Sequence, residues 1–238
     1  MFMIKSLKSS QGFTIVELMI ALSVLSTILV MSTVIIMQIG SLYSKGVNSA
    51  NLQNVSRNII SDISSALQFS GNTVESCDTV NALAACSDPT VKVHCIGTTR
   101  YTYVLHRELG IPTQTTNRVL WRDTMKNISS CIPYNLNDPD LNNGNSKGDG
   151  FEMLGEHMRL DLFDITPLAS QYKIAVSLAY GDSDLLCDSG TTAPNDCSSS
   201  TPSPNLNNPV GDIICKGAKG QEFCATSKLN TTVTRRIE

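Results

Sequence analysis

Eight cysteines are the residues of this sequence with the most readable chemistry. Thiols at fixed spacing either oxidise to disulfides or, as close C-x-x-C pairs, bind zinc. The sequence has an even number of cysteines and no C-x-x-C pair, so we predict disulfides that hold loops with little core of their own. The expected bridges are local: Cys77 with Cys86, Cys95 with Cys131, Cys187 with Cys197, and Cys215 with Cys224.

Two acidic loops, NDPDLNNGNSKGDG and GDSDLLCDSG, could bind calcium or be ordinary polar turns. In the first loop Asn143 stands where an EF-hand has glycine, and the last ligand is an aspartate rather than a glutamate. We expect no other metal site and no cofactor. The candidate ligands are Asp138, Asp140, Asn142 and Asp149 in the first loop and Asp182, Asp184 and Asp188 in the second.

Motifs for enzyme chemistry are missing from the sequence. It contains no phosphate-binding glycine loop, no G-x-S-x-G and no H-E-x-x-H, and His94, His106 and His157 lack ligand spacing. We predict a structural role for each histidine and a protein that is not an enzyme. The formal net charge of -3 and the pI near 5.6 give no general attraction to nucleic acid. The modest basic groupings are Arg118, Arg122, Arg235 and Arg236.

The N-terminal segment holds an apolar run with a glutamate at its start. The 20 uncharged residues from Leu18 to Met37 would form a helix of about 30 Å, which spans one bilayer core. Lys5 and Lys8 precede the run, so the positive-inside rule places residues 1 to 12 in the cytoplasm and the rest of the chain outside. A carboxylate such as Glu17 is costly in lipid, so it should have a partner or a function.

The stretch Gly12-Phe13-Thr14-Ile15-Val16-Glu17-Leu18 resembles the processing motif of type IV prepilins and pseudopilins. The resemblance implies that a prepilin peptidase cuts after Gly12 and that the new amine of Phe13 is N-methylated. It also implies that Glu17 meets the Phe13 amine of a neighbouring subunit during assembly, an ion pair that would offset much of the desolvation of the carboxylate. The alternative is an ordinary signal-anchor whose Glu17 lies at the membrane interface.

Beyond the apolar run, a helical period continues towards residue 70. Apolar residues recur at mostly three- and four-residue steps, which predicts an amphipathic helix whose stripe packs on other elements. These residues are Val47, Leu52, Val55, Ile59, Ile63 and Leu67. Together with the cleavage that the prepilin resemblance implies, these patterns divide the chain into a removed cytoplasmic leader (1–12), a transmembrane and assembly half of the helix (13–41), an amphipathic half (42–70) and an extracytoplasmic β-rich head (71–238).

The head contains several strand patterns. YKIAVSLAY alternates apolar and small or polar residues, and so does HMRLDLFDI, in which Met158, Leu160 and Leu162 should share one face. The short link TPLAS would join these two strands into an antiparallel hairpin. Further strands are expected in RYTYVLHREL, RVLWRD and TTVTRRI, with Trp121 as a core residue. The predicted fold is α+β: a long N-terminal helix on a four- to five-stranded antiparallel sheet with disulfide-linked loops.

The segment from Met158 to Asp188 also resembles minor pilins of the PilW-like kind. Together the two resemblances imply a minor pilin: a single-pass protein of the cytoplasmic membrane that a prepilin peptidase processes and that assembles with other pilins into an extracellular filament or its tip. Its other partners would be the inner-membrane assembly machinery. A minor pseudopilin of a secretion or DNA-uptake system remains an alternative. A signal-anchored adhesin or binding domain is a third interpretation.

Overall fold

The computed structural model describes residues 12–70, 74–76, 90–109, 118–125, 131–136, 150–190, 197, 211–217 and 221–236. The helix α1 spans Ile15–Phe69. The strands that follow are β1 (Val74–Ser76), β2 (Val91–Ile96), β3 (Thr99–Val104), β4 (Leu120–Thr124), β5 (Phe151–Glu152), β6 (Met158–Leu168), β7 (Gln171–Tyr180), β8 (Leu186–Asp188), β9 (Ile213–Cys215) and β10 (Ala225–Thr234). A short 3-10 helix covers Gln221–Phe223.

The chain divides into two units, with the boundary between Tyr43 and Ser44. In the described part of the first unit, side chains are exposed nearly throughout. The helix α1 is long and apolar enough to cross a membrane. Length and composition therefore agree with the predicted transmembrane segment.

The second unit has its core where the later turns of α1 meet the strands. One stripe of α1 lies in the core, because its buried apolar residues are seven, four and four positions apart. These residues are Leu52, Ile59, Ile63 and Leu67. They share one cluster of buried side chains with residues of β3, β6, β7 and β10. The predicted amphipathic stripe is confirmed, except that Val47 is 48% exposed and contributes little to the core.

In the described part of the chain, the strands form three antiparallel sheets. One has five strands in the order β1-β2-β3-β4-β5, a second has the order β10-β7-β6, and β8 pairs with β9 as a two-stranded ribbon. The predicted α+β class, with a long helix and antiparallel sheet, is confirmed. The division into three sheets, instead of a single sheet, is a finding of the structure, because alternation within a strand does not specify its neighbours.

The hairpin predicted between HMRLDLFDI and YKIAVSLAY is present as β6 and β7. Its turn is shorter than the predicted TPLAS link, since the pairing continues to Leu168 and Gln171 and leaves Ala169 and Ser170 to connect the strands. Ala169 has a φ of 50°, as the tight turns of two-residue hairpins require. The TPL residues therefore extend the strand instead of interrupting it.

A β-bulge at Asp161 changes which residues of β6 face the core. Leu160 pairs with Leu178 but Leu162 pairs with Ser177, so one extra residue is inserted between them. After the bulge it is Phe163 that is buried, while Leu162 is only partly buried. The prediction that Leu162 continues the inner face was wrong, because the inserted residue reverses the alternation.

The remaining strand predictions have mixed outcomes. RYTYVLHREL, RVLWRD and TTVTRRI supply β3, β4 and part of β10, and Trp121 is buried with Val104 and Leu136 as predicted. Strand β2, with the sequence VKVHCI, was not predicted, although it pairs along its whole length with β3. The short strands β1, β5, β8 and β9 were not predicted either.

Three of the predicted disulfides are present: Cys95 with Cys131, Cys187 with Cys197, and Cys215 with Cys224. The Cys77–Cys86 pairing lies outside the described residues. Two of the bridges start from the β8–β9 ribbon, where Cys187 stands opposite Ile214 and Cys215 stands opposite Leu186. The ribbon is thus joined covalently to Cys197 and to Cys224, the residue just before β10.

Candidate functional site

The residues of the predicted processing motif lie where α1 begins. Gly12, Phe13 and Thr14 precede the helix and have no regular secondary structure, and the Phe13 side chain is 81% exposed. Among the described residues, no atom lies within 4 Å of the position that a Cβ on Gly12 would take. The backbone on both sides of the Gly12–Phe13 bond is therefore open to another protein.

Glu17 is one of the residues that cap the first turn of α1. Its backbone N–H donates to Oγ1 of Thr14 at 3.2 Å, which is the N-cap bond of the S/T-x-x-E pattern. The carboxylate also lies at the helix end where the dipole favours negative charge. Among the described residues, no hydrogen bond or ion pair involves the Glu17 side chain. The position is thus locally favourable for an acid whose carboxylate is available to a partner.

Five hydroxyl groups of the apolar half are satisfied by the helix itself. Each donates to a backbone carbonyl three or four residues earlier at 2.8 Å, as back-bonding of serine and threonine predicts. These residues are Ser23, Ser26, Thr27, Ser32 and Thr33. The helix remains continuous, so this segment presents an almost entirely apolar surface with one charged group, Glu17, between Ile15 and Tyr43.

A second group of chemically active side chains lies at the open end of the β6–β7 hairpin. Nδ1 of His157 is 3.2 Å from Oε1 of Glu108 and 3.0 Å from Oδ1 of Asp182. The three side chains have their ligand atoms within 4.8 Å of one another. The other carboxylate oxygen of Glu108 accepts a hydrogen bond from the guanidinium of Arg159. Sequence reasoning missed this cluster, because it treated His157 as a structural residue without ligand spacing.

The other two histidines have structural partners. Nε2 of His94 lies 3.0 Å from the hydroxyl of Tyr103, and the two rings stack. Nε2 of His106 lies 3.2 Å from the carbonyl oxygen of Asp161. Burial lowers the pKa of His106, and the Asp161 carboxylate opposes this effect by raising it. Both contacts fit the structural role predicted for these histidines.

The acidic residues of the GDSDLLCDSG loop are directed to different partners. Asp182 approaches His157, and Asp184 is exposed. Asp188 is buried and accepts hydrogen bonds from the backbone N–H groups of Gly190 and Gly211 at 2.9 and 2.8 Å. In the described part of the chain these three carboxylates do not converge on one point. The other predicted calcium ligands, Asp138, Asp140, Asn142 and Asp149, lie outside the described residues.

Arg122, one of the predicted basic residues, forms an ion pair within the fold. Its Nε donates to Oδ2 of Asp62 on α1 at 3.0 Å, and the same oxygen accepts from the Tyr101 hydroxyl at 2.7 Å. Arg118 lies over the ring of Trp121. The contacts of Asp62 join α1 to β3 and β4. Both arginines direct their charge to partners within the fold, where it is less available for binding nucleic acid.

Comparison with known proteins identifies one similarity. The family model for the prokaryotic N-terminal methylation motif matches residues 7–33, which include Gly12, Phe13 and Glu17. No curated protein and no solved structure is significantly similar to the chain. The motif supports a type IV pilin or pseudopilin and implies processing by prepilin peptidase and assembly with other pilins.

Proposed function

We propose that the chain is a minor pilin, a structural subunit of a type IV pilus that enters the filament or the complex that primes it. The observation that carries the proposal is the N-terminal methylation motif at residues 7–33, followed directly by an exposed apolar helix. The protein would therefore act by assembly and not by catalysis. The expected partners are major and minor pilins, the prepilin peptidase and the inner-membrane assembly machinery.

Before assembly, the precursor is anchored in the cytoplasmic membrane, with residues 1–12 in the cytoplasm and the head on the extracytoplasmic side. Exposed apolar side chains from Phe13 to Tyr43 are covered by lipid in that state and by the helices of neighbouring subunits after assembly. The internally bonded hydroxyls require no outside partner in either environment. The same helix can thus serve as membrane anchor and as filament core.

Cleavage after Gly12 frees the amine of Phe13, which keeps its positive charge after methylation. Glu17 carries the complementary charge near the start of the same helix. An ion pair between Glu17 of one subunit and the Phe13 amine of another would offset the desolvation of both groups in a low-dielectric filament core. This ion pair would favour an arrangement of neighbouring helices that places the two charged groups at the same height along the filament axis. Because the Glu17 carboxylate has no such partner in the unassembled subunit, the pair would also favour assembly.

The minor role is inferred from the head. Its eight cysteines and the PilW-like segment from Met158 to Asp188 resemble minor subunits more than a major pilin with a single C-terminal disulfide loop. A minor subunit would be present in the filament at a small fraction of the most abundant pilin. Its head would then act at the tip or at isolated positions along the filament.

Quantitative mass spectrometry of filaments sheared from the cell surface tests the proposal. We expect a peptide that begins at N-methylated Phe13, at a low ratio to the most abundant pilin. A ratio near one would make this the major subunit. Absence from filaments, together with retention of residues 1–12 in the membrane fraction, would contradict the pilin assignment and favour a signal-anchored domain.

A matched pair of glycine variants controls for effects on the helix. Gly12 and Gly46 both have open space around the position of an added Cβ. Gly12→Leu should leave residues 1–12 attached, whereas Gly46→Leu should be processed like the natural chain. Equal processing of the two variants would show that Gly12 is not the cleavage position.

A further inference from the structure

The cluster of Glu108, His157 and Asp182 has no part in the proposed function. It joins one imidazole nitrogen to two carboxylates on three segments that are distant in sequence. We infer that these three side chains form a binding site for a divalent transition-metal cation of the zinc type. The site would lie at the open end of the β6–β7 hairpin and does not depend on the processing motif.

The distances within the cluster fit a shared metal ion. Nδ1 of His157 lies 3.2 Å from Oε1 of Glu108 and 3.0 Å from Oδ1 of Asp182. In a tetrahedral zinc site with bonds near 2.1 Å, nitrogen and oxygen ligands lie about 3.4 Å apart. A single Nδ1 carries at most one hydrogen, so it can direct a good hydrogen bond to only one of the two carboxylates. A cation among the three atoms would bind both carboxylates at once. Both distances from His157 lie within a few tenths of an ångström of the tetrahedral spacing, and all three ligand atoms lie within 4.8 Å of one another.

Backbone hydrogen bonds hold the ligand-bearing segments in register. The N–H of Gly181, next to Asp182, donates to the carbonyl of His157 at 3.1 Å, and the N–H of His157 donates to the carbonyl of Leu109 at 3.3 Å. Arg159 donates to the second oxygen of Glu108 and thereby orients its first oxygen towards His157. The three ligands are therefore positioned by strand pairing and a supporting side chain, as metal sites require.

Charge and ligand type favour zinc over calcium. The two carboxylates carry two negative charges, Arg159 offsets one of them, and a neutral imidazole leaves the cluster with net negative charge. Calcium prefers six to eight oxygen ligands, whereas zinc accepts one nitrogen and two oxygens and leaves a fourth position for water. The Asp182 side chain is 63% exposed, so an ion can enter from solvent.

Isothermal titration of the full chain in detergent micelles with zinc chloride tests the inference. The protein should carry no affinity histidine tag. We expect one zinc ion per chain, and excess calcium chloride should not displace it. Asp182→Asn should weaken zinc binding at least tenfold, whereas Asp184→Asn should change it less than twofold. Asp182 and Asp184 lie in the same exposed loop, so Asp184→Asn controls for a loss of zinc binding that is caused by misfolding of this loop.

A second variant pair tests the nitrogen ligand. His157 and His106 both have positive φ angles, 59° and 63°, at which asparagine is tolerated. His157→Asn should abolish the visible absorption of bound cobalt(II), used as a spectroscopic substitute for zinc, and His106→Asn should retain it. Absence of zinc binding in the natural chain would overturn the inference and leave the cluster as an ion-paired group. Equal binding by Asp182→Asn or His157→Asn would overturn it by placing the metal elsewhere.

Discussion

Glu152 should make the stability of the second unit fall as pH rises through the weakly acidic range. Its carboxylate accepts hydrogen bonds from the backbone N–H groups of Val119 and Leu120 at 2.9 Å each and of Leu154 at 3.3 Å. Burial raises the pKa of Glu152 to about 7, against these hydrogen bonds, which lower it. The folded chain therefore keeps a proton that the unfolded chain has already released.

Proton linkage gives both the sign and the size of the change in the free energy of unfolding with pH. An unfolded glutamate has a pKa of 4.5, so between pH 4.5 and pH 7 the folded state binds more protons than the unfolded state. The contribution of Glu152 to the free energy of unfolding is complete below pH 4.5 and is lost as pH rises to 7. At 1.36 kcal/mol per pKa unit, a rise from 4.5 to about 7 limits the loss to about 3.4 kcal/mol.

Urea titrations of residues 44–238 between pH 4.5 and pH 8 would measure this loss. Trp121, the single tryptophan of the chain, pairs with Glu152 across β4 and β5 and reports unfolding by fluorescence. Glu152→Gln has no titrating proton, so the stability of the natural sequence relative to this variant should fall by about 2 to 3 kcal/mol over the range. The exposed Glu156→Gln serves as the control and should follow the natural sequence. A difference that stays constant or rises with pH would show that the three N–H donors outweigh burial.

Three further predictions concern core packing, disulfide links and assembly. Ile59→Ala should lower the free energy of unfolding by about 2 to 5 kcal/mol, and Val47→Ala by less than about 0.5 kcal/mol, because only the first side chain is fully buried. Equal effects in urea titrations would refute this. Replacing Cys215 and Cys224 by serine should cost about 3 kcal/mol through the entropy of a loop of about ten residues, and a loss below about 1 kcal/mol would contradict this account. Glu17→Gln should be cleaved normally but enter filaments about tenfold less, measured by immunoblots of membrane and sheared fractions; unchanged incorporation would exclude an assembly role for the carboxylate.

Local patterns made the helix, the main strands and three of the disulfides predictable. The core stripe of α1 follows a period set by backbone geometry, and β7 is readable as a strand from its alternating sequence, although it is buried on both faces from Ile174 to Ala179. The processing motif is readable because its residues are contiguous. Cys187–Cys197 and Cys215–Cys224 close short loops, so proximity in sequence was sufficient to pair them.

Features that depend on pairing between distant segments were not predictable. The bulge at Asp161 is stabilised by the hydroxyl of Ser177 and the N–H of Ile213, neither of which a reading of β6 alone can locate. Glu108 and His157 are 49 residues apart in the chain and meet because the segment after β3 pairs with the start of β6. No spacing rule connects such residues, since their contact is set by sheet topology.

The β8–β9 ribbon has a consequence for oxidative folding. Four thiols that are close in space can pair in three ways, and only one of these is native. Cys187 stands opposite Ile214, and Cys215 stands opposite Leu186, so successive positions along the pleat direct the two thiols to opposite faces of the ribbon. A ribbon that forms before oxidation keeps Cys187 and Cys215 from reacting with each other and leaves each thiol facing the side of its own partner. The order of events, strand pairing first and sulfur chemistry second, would then select the correct isomer with little need for reshuffling.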